Sequence, residues 1–214
     1  MTIIRESALG INYRFMKYPL KGTNHKVEVY DNCLDNKVFK RIQTELLSER
    51  FPWHYNEKIV PPELLKDSPI EGRDTDLRVY RFVHRFYQVQ SGILNWPPTT
   101  EIITSVMKIL DPRAWVRADA SLGYPTTEHA CGGWHYDINN SNKVPDPDIK
   151  SAIFYCNTNN GYTLFETGDE IKSVENRLII FPCDIFHTGV TQTDTKTRVL
   201  LNFNWFPPLE PSEQ

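Results

Sequence analysis

Apolar positions change their period part-way along this chain. Between Asn36 and Arg50 they fall at 38, 39, 42, 46 and 47, the spacing of one helix face, with Asp35 or Asn36 placed to cap it. A second helical run has apolar residues at 102, 103, 106, 109 and 110, starts at Thr99 or Thr100 and stops before Pro112. Two strands are predicted in this first half: 26–31 (KVEVYD), which alternates, and 78–88 (RVYRFVHRFYQ), rich in aromatic and β-branched residues. From Ala114 onward only short strand-like segments remain, at 115–124, 150–158, 161–167, 171–176, 177–182 and 197–206. Asn160-Gly161 and Thr167-Gly168 are turn signals between them, and the polar stretches 66–75 and 139–147 read as loops. Many short strands backed by two helices predict a mainly β fold, an antiparallel double-sheet jelly roll or double-stranded β-helix. The two N-terminal helices would brace its larger sheet. One domain is expected over residues 1–214, with the jelly-roll core at about 114–206.

Composition narrows the partners. The 214 residues carry 24 Lys plus Arg against 27 Asp plus Glu, a net charge of -3. Polybasic and acidic-tail proteins are excluded, and charge gives nucleic-acid binding no support. No apolar run approaches the ~20 residues of a membrane span, and the first ten residues lack a signal peptide's apolar stretch. Cys33, Cys131, Cys156 and Cys183 are scattered with no C-x-x-C pair, as free thiols of a reducing compartment would be. A cytoplasmic location is expected.

The chemistry concentrates in Trp134-His135-Tyr136-Asp137, just after a Gly-Gly corner. An H-x-D triplet is weak by itself. On a strand, however, residues i and i+2 share a face, so an imidazole and a carboxylate can converge on one ion. His187, following the apolar run RLIIFP, is the best third ligand, and Arg198 comes eleven residues later at the head of VLLNFNWF. Two imidazoles and one carboxylate make the facial triad that leaves coordination positions open on a non-haem Fe(II). An Arg inside an apolar strand needs an anion, and its planar fork suits a carboxylate.

Taken together, WHYD, FYCNTNNGYTLFE, ENRLIIFPCDIFHTGV and TRVLLNFNW resemble the Fe(II)/2-oxoglutarate-dependent dioxygenases. The similarity runs from Arg117 to Phe206 and points to the prolyl 4-hydroxylase-like sub-group, which includes small phage-encoded oxygenases. It implies His135, Asp137 and His187 as metal ligands and Arg198 as partner of the distal carboxylate of 2-oxoglutarate. Tyr155 matches a tyrosine that hydrogen-bonds the same carboxylate, and Tyr124 one near the cosubstrate's metal-bound end. The implied activity is O2-consuming oxygenation, a hydroxylation of peptidyl proline or another amino-acid side chain, releasing succinate and CO2. Peptide, amino acid or small molecule are the primary substrates expected. The rival readings are a nucleobase-modifying oxygenase and a non-catalytic jelly-roll binding module.

Other polar residues have plainer expectations. His25, His54, His84 and His129 read as structural or surface groups, Asp119 as a structural carboxylate, and Cys131 and Cys183 as small core residues. The series Arg78, Arg81 and Arg85 with its interleaved aromatics reads as the solvated face of a strand, the alternative being a hold on an anionic or aromatic substrate. Segments 61–75 and 139–150 are expected to border the substrate entrance.

Overall fold

A computed structural model describes residues 2–6, 12–61, 65–89, 92–93, 100–138, 146 and 148–209, and among these described residues there are thirteen strands and two helices. The first half contains β1 (Thr2–Glu6), β2 (Asn12–Pro19), β3 (Lys26–Asp31), α1 (Asn36–Leu46), β4 (His54–Asn56), β5 (Arg81–Gln88), β6 (Gly92–Ile93) and α2 (Thr100–Leu110). The second half contains β7 (Ala114–Gly123), β8 (Lys150–Tyr155), β9 (Tyr162–Phe165), β10 (Glu170–Lys172), β11 (Arg177–Pro182), β12 (His187–Val190) and β13 (Arg198–Phe206).

The strands form two antiparallel sheets. The larger runs β1-β2-β3-β11-β8-β13-β7-β5-β4, with β6 added to β5, and the smaller runs β10-β9-β12. A further segment, Cys131 to His135, lies antiparallel beside β12 through Gly132 N–H to Gly189 O at 2.9 Å and a reciprocal pair between His135 and His187. This is the jelly roll that the pattern predicts.

Alternation sorts the large sheet into two faces. Ala118, Ala120, Ala152, Phe154, Leu178, Val199, Leu201 and Phe203 point one way and bury Phe39, Ile42 and Leu46 of α1 with Val106 and Leu110 of α2. The helices therefore brace this sheet as expected. Ile153, Ile179, Phe181 and Leu200 point the other way and meet Phe165 and Ile171 of the small sheet. The space the two sheets leave open is the site cavity.

Several boundaries differ from expectation for local reasons. Helix α1 ends at Leu46 rather than 50, because Arg50 N–H turns back to Ser48 Oγ at 3.1 Å. Its start is as expected, with Asp35 Oδ1 accepting from Lys37 and Val38 N–H. The strand expected at 171–176 is confined to Glu170–Lys172; Asn176 takes a left-handed φ of 58° and its side-chain amide brackets Leu34 through both N–H and C=O. The β1–β2 hairpin was not anticipated. Residues 62–64, 99, 139–145 and 147, which include parts of both expected entrance loops, lie outside the described residues. The four cysteines are free and buried, and among the described residues no helix is long and apolar enough to cross a membrane.

Candidate active site

His135 and His187 sit opposite each other on adjacent antiparallel segments and exchange both backbone hydrogen bonds, at 3.0 and 3.1 Å. That pairing puts their side chains on one face with ring centroids 4.8 Å apart. Asp137, two residues beyond His135, brings Oδ1 to 3.8 Å from His135 Nε2. The candidate ligand atoms of the three residues all lie within 4.8 Å of one another. The corner that delivers them depends on glycine: Gly133 has a φ of +121°, and a Cβ there would lie 3.0 Å from both Val60 and Leu65.

Each candidate ligand is oriented by its own surroundings. His135 Nδ1 is 2.9 Å from Gly133 O and His187 Nδ1 is 3.0 Å from Ile185 O. A proton on Nδ1, donated to the carbonyl, leaves each Nε2 as a bare lone pair suited to a metal. Burial, then the facing His187, pushes His135 down to about 3, so its imidazole is neutral and ready to ligate. The ring of His187 is held edge-on to Phe181 at 5.0 Å. Burial would raise the Asp137 carboxyl, but His187, Arg117 and His135 outweigh it and hold the group well below the usual carboxylate range. Arg117 Nη2 donates to Asp137 Oδ1 at 2.9 Å, and Asn204 Nδ2 reaches Oδ2 at 3.3 Å. Asn204 is fixed in turn by Arg117 Nε and Ser151 Oγ. Each carboxylate oxygen still has a lone pair to offer an ion.

Arg198 enters the same cavity from the head of β13 and is buried, 8 % exposed. Its Nε donates to Ser173 Oγ at 2.8 Å, while Nη2 is enclosed without a hydrogen-bond partner. Burial lowers its pKa, with partial relief from Tyr155. An enclosed cationic N–H lacking an acceptor is costly, and a ligand carboxylate would satisfy it. The stem of Arg198 runs against Gly161, where an added Cβ would meet its Cδ at 3.0 Å.

The other expected residues are placed differently. Tyr155 is fully buried behind the cavity wall; its hydroxyl shares a hydrogen bond of 2.8 Å with Thr163, which does line the cavity, and the Arg198 guanidinium stands 5.7 Å from its ring. Tyr124 lines the cavity, stacks on Tyr80 at 4.0 Å, and donates its hydroxyl to Arg78 O at 3.0 Å. Asp119 is structural as expected, gripped by Arg85 at 3.0 Å and Arg117 at 3.6 Å. His84 is a core histidine between Phe51 and Phe86. The arginine series is a correction in part: Arg78 is exposed and Arg85 lines the cavity with its side chain still 40 % exposed, whereas Arg81 lines the cavity with its guanidinium tethered to Ile59 O.

The whole cavity has a volume of about 570 Å³, within the range of small-molecule sites. No family model and no curated protein sequence matches the chain. Solved structures do. A viral collagen prolyl hydroxylase from Paramecium bursaria Chlorella virus-1, in complex with 2-oxoglutarate, aligns with a TM-score of 0.51 and 13 % identity over 90 % of this chain and 100 % of that one. A 2-oxoglutarate-Fe(II) oxygenase family oxidoreductase from Burkholderia pseudomallei aligns at 0.52 and 13 % over 86 % and 88 %. A prolyl hydroxylase from Trichoplax adhaerens, bound to a hypoxia inducible factor peptide fragment, aligns at 0.50 and 10 % over 85 % and 83 %. The chain has the fold of the 2-oxoglutarate- and Fe(II)-dependent oxygenases.

Within this oxygenase fold, Arg117, Asn204, Ser151, Thr163 and Ser173 are the site-shaping residues that the sequence alone left unmarked. A signal existed for two of them. Arg117 and Asn204 are polar residues inside apolar strands, each in phase with another polar residue two positions away, Asp119 and Asn202.

Proposed function

We propose that the chain is an Fe(II)- and 2-oxoglutarate-dependent hydroxylase of a peptide, an amino acid or another small molecule, working as one domain in the reducing cytoplasm that its buried thiols suit. The observation that carries this reading is the convergence of two imidazoles and one carboxylate beside a buried arginine with an unsatisfied N–H. His135, Asp137 and His187 would hold the metal, and this donor set is the facial triad suited to Fe(II). Bound Fe(II) with 2-oxoglutarate supplies the reductive activation of O2 that turns C–H into C–OH, releasing succinate and CO2.

The chain's own part is binding and orientation. Gly133 O and Ile185 O hold the imidazoles in one tautomer, and Arg117 with Asn204 fixes the carboxylate. Arg198 would take the distal carboxylate of 2-oxoglutarate, with Thr163 and Tyr155 beside it. Tyr124 would close the cavity wall on the metal-bound side of the cosubstrate. Apolar neighbours such as Ile153 and Leu200 exclude water around these groups.

Thermal melting tests this directly. Mn(II) plus 2-oxoglutarate at 100 times their dissociation constants should add roughly 2.7 kcal/mol of apparent stability. Asp137→Ala should abolish the shift from Mn(II) and, with Fe(II), the release of succinate. No shift in the native chain with either ligand would overturn the proposal.

A further inference from the structure

The cavity holds more positive charge than the proposed chemistry uses. Among the described residues lining it, Lys58, Arg81, Arg85, Arg117 and Arg198 are basic, while Asp119 and Asp137 alone are acidic. A divalent metal and the dianion of 2-oxoglutarate would cancel each other, so their arrival leaves the surplus in place.

Most of these cations have a partner. Arg85 reaches Asp119 through Nε at 3.0 Å and Gln88 through Nη1 at 2.6 Å. Arg117 spans Asp137, Asp119 and Asn204. Arg198 is the proposed cosubstrate anchor, and Lys58 is exposed. Arg81 is the exception. Its Nη2 donates to Ile59 O at 3.2 Å, and its Nε is enclosed with no hydrogen-bond partner. No salt bridge is formed by Arg81 with any described residue. Burial and the neighbouring Arg117 push it down to about 10, against partial relief from Asp119 and Asp137, so it remains a cation without a counter-ion of its own.

The side chain is also well placed for a ligand. Arg81 heads β5 in register with Asn56 of β4, and both residues line the cavity that also holds His135, Asp137 and His187. Ile59 O tethers one end of its guanidinium and the strand fixes its stem, so little freedom remains to be lost on binding. A neutral ligand would leave the charge uncompensated; an oxyanion presenting two oxygens would fit the remaining fork.

We infer that Arg81 anchors an anionic group of the primary substrate, a carboxylate or phosphate, at a subsite separate from the one Arg198 offers 2-oxoglutarate. This rests on the oxygenase reading and narrows its substrate class: neutral peptide segments are disfavoured against acids. The reacting carbon would then lie between the anion held by Arg81 and the face carrying the two histidines and Asp137.

The test uses the full chain loaded with Mn(II) and saturating 2-oxoglutarate. Acetate, methyl phosphate and neutral acetamide are titrated at constant ionic strength, with thermal melting as the readout. The anions should stabilise the loaded protein saturably, acetamide should not, and the stronger of the two anions identifies the carboxylate or phosphate class. Arg81→Gln should weaken anion binding by about 10-fold or more, while Arg81→Lys keeps part of it. The affinity of Mn(II)-loaded Arg81→Gln for 2-oxoglutarate should be little changed. Equal responses to anions in the native and Arg81→Gln chains, or equal stabilisation by acetamide, would overturn the inference. Loss of 2-oxoglutarate binding in Arg81→Gln would overturn it too, by showing that Arg81 serves the cosubstrate. Titrating the metal-free chain keeps the two readings apart. An Arg81-dependent anion response in a chain that ignores Mn(II) and 2-oxoglutarate retains the anion site and removes the oxygenase reading.

Discussion

The two faces of the large sheet are made by alternate residues of the same strands, yet they behave as different materials. Toward the helices β13 presents Val199, Leu201, Phe203 and Trp205, packed on α1 and α2 with no ion pair among them. Toward the small sheet the same strand presents Arg198, Leu200, Asn202 and Asn204. Strand β7 repeats this, with Ala118 and Ala120 on one side and Arg117, Asp119 and Ser121 on the other. The helix-facing side stabilises the fold by removing apolar area from water. The cavity-facing side spends some of that stability to hold charges in fixed positions, which is the arrangement a site needs. A jelly roll can do this because its second sheet shelters the polar face without filling it.

Substitutions on the two faces should therefore separate stability from ligand binding. Phe154→Ala, on the helix face and fully buried, should have the largest effect, costing about 3–5 kcal/mol in denaturant unfolding. The fraction that remains folded should keep its Mn(II) affinity; loss of both together would erase the distinction between the faces. On the cavity face, Arg198→Lys keeps the charge and loses the fork, so 2-oxoglutarate affinity should fall roughly 10- to 150-fold in calorimetric titration, with metal binding retained. Unchanged cosubstrate affinity would return Arg198 to a structural role. Arg117→Gln removes the donor that orients Asp137 and should weaken Mn(II) binding by about 10- to 100-fold. A drop in melting temperature without loss of metal affinity would show that Arg117 only packs. The smallest effect is expected at a position remote from both faces: Asp35→Ala removes the cap of α1 and should cost about 1 kcal/mol, with both ligand affinities unaltered.

The same contrast explains what could be read from the residues alone. Helix-facing positions announced themselves through period and apolarity, so α1, α2 and the strands of the core were legible to within a few residues. The convergence of the candidate site residues was legible too, since His135, Asp137, His187 and Arg198 are chemically unusual in their surroundings, and the four line one cavity. Arg81 and Arg85 were legible only as one of two readings, because the polar half of an alternating strand looks solvent-facing until another layer covers it. Arg81 was expected on a solvated face, with substrate binding as the alternative, and it lines the cavity. The partners of Asp137 were hidden for a different reason. Arg117, Ser151 and Asn204 come from three strands, and only the register of β13 with β7 and β8 brings them together. The strand at 171–176 failed on a purely local feature, the left-handed turn at Asn176.

The central claim is that one metal held by three side chains and a cosubstrate held by Arg198 share a cavity. Anaerobic calorimetric titration of 2-oxoglutarate into Mn(II)-loaded and metal-free protein tests it most directly. Tight, stoichiometric binding to the loaded protein, much weaker binding to the metal-free protein, and the same weakness in Asp137→Ala exposed to Mn(II) is the result expected. Equal binding of 2-oxoglutarate with and without Mn(II), or none in either state, would contradict the claim.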